Sequence, residues 1–139
     1  MGIPPEYQRA NDFFHQLLED ARDEADLNTV NQSYTMVQGV FQAFRRRLSL
    51  ADAIRFANVL PVGARALFVQ QWDVNEPKRP FEQCAVMTEE VQELRPQHNY
   101  APENAIRAVA RALRRNLDEA AFDRVLATLP PGAADFWKP

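Results

Sequence analysis

A chain of 139 residues, 46% hydrophobic and 25% charged, has the make-up of an ordinary soluble globule and not of a disordered tail. That length suits one domain, whereas half of it would be marginal alone, so any two halves are expected to share a core. A net charge of −3 offers no general attraction to nucleic acid or acidic membranes, and a single cysteine, Cys84, excludes an intramolecular disulfide.

The first residues, "MGIPPEYQRANDFF", lack a basic region leading into an apolar run, so no secretory signal is expected. Glu6 stands where a myristoylation signal needs Ser or Thr. No apolar stretch nears the length of a membrane span, and the lone cysteine fits a reducing cytoplasm. A first helix is predicted over about 5–25, after Pro4 and Pro5. The next is predicted over about 31–48, where Val37, Val40, Phe41, Phe44 and Leu48 recur at the spacing of one buried face. "SLAD" then starts a helix over about 50–59, and Leu-Pro ends it and opens another over about 61–72. "ALFVQQW" is short and apolar enough to pass for a strand, but its helical surroundings favour helix.

The stretch "DVNEPKRPF", with Pro77 and Pro80, is the expected link, about 73–80. Four more helices are predicted beyond it, over about 80–94, 102–117, 119–128 and 130–137. Pro96 and Pro102 flank the loop "RPQHNYAP" between the first two of these. Displacing the chain by 69 positions lays residues 37–70 over 106–139 with eleven identities. Chance alone gives about two. Among them are Arg45/Arg114, Arg46/Arg115, Leu60/Leu129, Pro61/Pro130 and Gly63/Gly132. The chain reads as an internal duplication. Leu60 and Leu129 are expected to plug the core at sharp corners, with Gly63 and Gly132 allowing close helix contact.

The copy "NAIRAVARALRRNLDEAAFDRVLATLPPGAADFW" carries the apolar spacing, the Arg-Arg pair and the Leu-Pro corner in full. With them the chain resembles the bacterial family named domain of unknown function 2267, over nearly its whole length. The resemblance implies an all-helical two-repeat domain in bacteria and supplies no catalytic residues to carry over.

Chemistry is sparsely provided. One Cys and two His cannot build a closed zinc site of the usual kinds. Asp12, His15 and Glu19 share a helix face, which reads as a solvated stripe with His15 bonded to a neighbouring carboxylate. Ser33 and Ser49 lack a nucleophile's context, and Ser49 serves better as a cap. Cys84 reads as a small buried hydrophobe, and Glu89, Glu90 and Glu93 as a solvated face. The four glycines are scattered, so no phosphate-cradling loop is present, and no cofactor or metal is expected.

Arginine stands above background. Arg45, Arg46 and Arg47 end one helix, and Arg107, Arg111, Arg114 and Arg115 stripe its counterpart. Cations near a helix C-terminus stabilise its dipole, and acids in residues 1–35 offer internal partners. Otherwise Arg45, Arg46, Arg111, Arg114 and Arg115 are the candidate anion-binding residues.

The whole reads as an all-α, single-domain helical bundle of two pseudo-symmetric repeats, about 5–72 and 81–139, each of about four helices. The favoured function is a non-enzymatic cytoplasmic module that binds another protein or a second copy of itself. The alternatives are an anion or nucleic-acid binder using the paired arginine clusters, and an enzyme of unrecognised type.

Overall fold

The structure is a computed structural model describing residues 2–139, and among these every regular element is helical. The helices are α1 (Pro5–Gln8), α2 (Ala10–Glu24), α3 (Val30–Arg45), α4 (Leu50–Ala57) and α5 (Val62–Val69). They continue with α6 (Cys84–Glu93), α7 (Ala105–Arg115), α8 (Glu119–Leu126) and α9 (Ala133–Phe136), and one 3-10 turn spans Pro96–His98. Among the described residues no helix is long and apolar enough to cross a membrane.

Local chemistry explains the boundaries. Thr29 and Gln32 form a reciprocal capping box at the start of α3, with Gln32 N donating to Thr29 Oγ1 at 3.1 Å. Ser49 accepts from Asp52 N at 3.2 Å to start α4, and Asp118 accepts from Ala121 N at 3.1 Å to start α8. The two helices thus begin and end 69 positions apart. Pro61 caps α5, and Leu60 and Leu129 are both buried.

Three expectations need correction. The first predicted helix is broken at Arg9 into α1 and α2. Pro130 does not open a helix, because the following Pro131 disfavours helical geometry at the residue before it. α9 starts only at Ala133, after Gly132 at φ 103°. Cys84 is exposed, not buried: it opens α6, whose inward positions are Met87, Thr88, Glu90 and Val91.

The packing crosses between the halves. α3 lies along α6 and α2 along α7, so the long opening helix of each half rests on the second helix of the other. At the α3–α6 crossing a Cβ on Gly39 would stand 2.8 Å from the Val91 carbonyl oxygen, so only glycine allows this approach. α4 and α8 also touch. Residues from both halves join in one hydrophobic cluster. At its centre the Trp137 indole meets Phe44 at 5.3 Å, Phe56 at 5.6 Å, Phe122 at 5.8 Å and Phe136 at 5.2 Å between ring centroids.

Trp137→Ala is expected to cost about 3–5 kcal/mol in urea unfolding, because that ring has neighbours on every side. A loss under about 1 kcal/mol would show that the centre collapses without it.

Candidate functional site

α3 ends at Arg45, with Arg46 and Arg47 directly after it, and the fold treats the three differently. The Arg47 side chain is fully buried and reaches α6, where Nη1 and Nη2 donate to the Glu90 carboxylate at 2.7 and 2.6 Å. Nη2 also donates to Glu82 at 2.9 Å, and Nε to the Pro80 carbonyl at 3.1 Å. Glu90 gathers Arg46 at 3.2 Å and Arg79 at 3.3 Å as well. Glu90 is therefore a buried member of an ion network and not part of a solvated face. Two of its partners, Arg46 and Arg47, lie more than forty positions away in sequence, and only Arg79 is nearer.

Burial alone pushes the Glu90 carboxyl up, but the Arg47 hydrogen bonds and charge, with Arg79 and Arg46, bring it below its ordinary value. Burial likewise pulls Arg47 down, and Glu90 and Glu82 more than reverse it. Both groups are held in their charged forms.

Arg45 has no carboxylate partner among the described residues. Its Nη1 donates to the Phe68 and Gln70 carbonyls at 2.9 and 3.0 Å, satisfying the end of α5, and its guanidinium lies over the Trp72 ring at 5.6 Å. Its Nε is buried without a partner. Burial, then the charge of Arg46, lowers the Arg45 pKa, with Glu76 opposing only in part. Arg45 and Arg46 border a cleft of about 180 Å³ together with Ser49, Leu50, Trp72, Val74, Glu76 and Lys78. Arg46 pairs with Glu76 there at 3.0 Å.

On α7 the corresponding residue, Arg114, makes the corresponding backbone contact: its Nε donates to the Trp137 carbonyl at 2.9 Å. Trp137 aligns with Phe68 under the displacement of 69. Arg114 additionally pairs with Glu119 at 3.0 Å and Asp123 at 2.9 Å. Glu119 and Asp123 align with Leu50 and Ile54 on α4. Leu50 and Ile54 are 53% and 54% exposed, where α8 presents its acids. Arg115 reaches Glu24 at 2.8 Å, so the acidic first segment does supply a partner. Arg111 and Arg107 are exposed on α7 with no ion pair among the described residues. The structure thus gathers Arg45 and Arg46 at one cleft and commits Arg114 and Arg115 to carboxylates.

His15 Nε2 lies 2.8 Å from Glu19 on α2. Among the described residues no three His, Cys, Asp or Glu side chains stand close enough to hold a metal ion.

A helical bundle whose buried charges are tied to its own backbone and carboxylates is the class of protein these observations define. The chain matches the family of uncharacterized conserved proteins DUF2267 over residues 14–136, and it belongs to that family. Comparison with curated proteins finds no match.

Glu90→Gln removes the buried one of Arg47's two carboxylate partners, leaving only the more exposed Glu82, and is expected to cost about 3 kcal/mol at neutral pH. Because the folded-state pKa of Glu90 lies below its ordinary 4.5, its contribution is complete above that pH and is lost as pH falls through the folded value. Urea titrations stepped into acid should therefore show the wild type losing more stability than Glu90→Gln. Parallel pH curves for the two proteins would contradict the network's role.

Proposed function

We propose that the chain is a bacterial cytoplasmic interaction module, non-enzymatic, binding another protein or a second copy of itself through the outer face of α4. In this reading it is a single domain of two pseudo-symmetric repeats, about 5–72 and 81–139, joined by a link at about 73–80. Three paired features support the repeats: the matched bounds of α4 and α8, the matched Arg45–Phe68 and Arg114–Trp137 contacts, and the matched glycines. A Cβ on Gly63 would stand 2.7 Å from Phe14, and one on Gly132 would stand 2.6 Å from Phe81. Each glycine takes an aromatic from the opening segment of its own half.

One observation carries the interaction reading. Leu50 and Ile54 lie one turn apart and more than half exposed, and Val74, 60% exposed, borders the same cleft as Leu50. Single exposed apolar residues are ordinary, but neighbouring ones on one face mark contact surfaces. The equivalent positions on α8 carry carboxylates that neutralise an arginine, so the fold accepts charge there and α4 lacks it.

The second reading is anion binding through Arg45, Arg46, Arg111, Arg114 and Arg115. Two observations favour it: the missing carboxylate at Arg45 and the unpaired Arg111. Arg114 and Arg115 enter it only by giving up Glu119, Asp123 and Glu24.

A photo-crosslinking residue placed at Ile54 in cells is expected to trap a discrete protein adduct, and one placed at exposed Ala120 on α8 is not. Absence of any adduct at Ile54, or equal trapping at both sites, would overturn the interaction reading.

A further inference from the structure

We propose that the cleft between the end of α3, the start of α4 and the segment around Lys78 is a binding site for a phosphoryl dianion. The inference rests on the anion reading and gives it one location, leaving Arg111, Arg114 and Arg115 outside it.

The charge balance comes first. Arg47, Arg79, Glu82 and Glu90 offset one another across the ion network behind the cleft. Within the cleft, Arg45, Arg46 and Lys78 face the single carboxylate Glu76, leaving two positive charges in excess. Lys78 has no ion pair among the described residues, and Arg45 has only carbonyls. A buried cation without a counter-charge is costly, and carbonyl dipoles meet that cost only in part.

The other half of the chain serves as an internal control. Arg114 sits at the matching position with a similarly buried side chain, and two carboxylates, Glu119 and Asp123, converge on it. At Arg45 both are replaced by apolar side chains, Leu50 and Ile54. What the chain supplies to one arginine as two negative charges it withholds from the other.

A ligand restoring that balance brings two negative charges in a small volume. A phosphoryl group does so near neutral pH. The cleft's volume of about 180 Å³ holds such a group with a few waters. It falls short of the roughly 300 Å³ at which pockets for drug-sized ligands begin.

Donors are also at hand. Arg45 lines the cleft, and behind that surface its Nε is buried with no hydrogen-bond partner among the described residues. Ser49, which lines the cleft, caps α4 with its lone pair and keeps its hydroxyl proton for a ligand. The amide of Asp52 goes to Ser49 Oγ and that of Ala53 to the Ser49 carbonyl, which leaves the amides of Leu50 and Ala51 unbonded within the helix. The Trp72 ring and Leu48 form the apolar wall.

Calorimetric titration of the full chain with inorganic phosphate, with acetate, and with a phosphoserine peptide tests the assignment. Saturable phosphate binding at low ionic strength is expected, with acetate weaker by about tenfold or more, since it brings half the charge. Tighter binding of the phosphoserine peptide than of free phosphate assigns the group to a protein ligand, and the reverse to a free or small-molecule phosphate. Lys78→Ala, in an exposed coil, should weaken phosphate about tenfold without lowering the melting temperature. The double change Leu50→Glu with Ile54→Glu installs the other half's carboxylates. It should abolish phosphate binding while the fold holds or gains stability.

Acetate binding as tightly as phosphate, or phosphate binding unchanged in both variants, would overturn the proposal. So would a wild type that binds no phosphate. If heparin retention is then lost in Arg111→Glu, the cleft falls while anion binding elsewhere stands.

Discussion

The indole of Trp137 is the point at which this fold is held together. Rings from α3, α4, α8 and α9 all approach it, so residues from both halves of the chain meet in one core. Its Nε1 has no hydrogen-bond partner, a cost of about 1–3 kcal/mol. Burying an aromatic of this size among other rings outweighs that cost. The crossed packing follows from the same demand. With the aromatic centre shared, each opening helix covers the other half's second helix, and Gly39 lets α3 and α6 come close enough to close the layer.

Around this apolar centre the arginines divide by whether their charge is answered. Arg47 is answered fully, by two carboxylates and two carbonyls, and it binds α3 to α6 and to the connecting segment. Arg114 is answered by Glu119 and Asp123 at the surface. Arg45 is answered by carbonyls alone, beside Arg46 and Lys78. The proposed phosphoryl site and the proposed contact face of α4 share one origin, the apolar residues at 50 and 54 where α8 has acids.

Much of the architecture was legible in the sequence, and the failures have physical causes. Periodic apolar spacing in residues 37–48 and 106–117, the Leu-Pro corners and the caps at Ser49 and Asp118 are local signals, and local signals survive in a single chain. Membership of the family was readable from the same pattern. Pro131 is a local signal of the same kind, and it keeps Pro130 out of a helix. The capping box at Thr29 and Gln32 is local as well. Glu90 was read as solvated because its main partners, Arg46 and Arg47, lie far off in sequence, and only the α3–α6 packing brings them together. The cleft was half visible: Arg45 and Arg46 stood out, but Lys78 and Ser49 join them only through the fold. The contrast of Leu50 and Ile54 with Glu119 and Asp123 was already present in the aligned halves, and it acquires meaning once Arg114 is seen to hold both acids.

The central claim is that the two halves form one cooperative unit around a shared aromatic centre. Native-state hydrogen exchange of the full chain under increasing denaturant tests it most directly, because it reads the opening free energy of each helix separately. The slowest amides of α3 and those of α7 are expected to converge on one global unfolding free energy. Amides of α7 opening several kcal/mol below those of α3, with α3 still protected, would show two separately folding halves and contradict it.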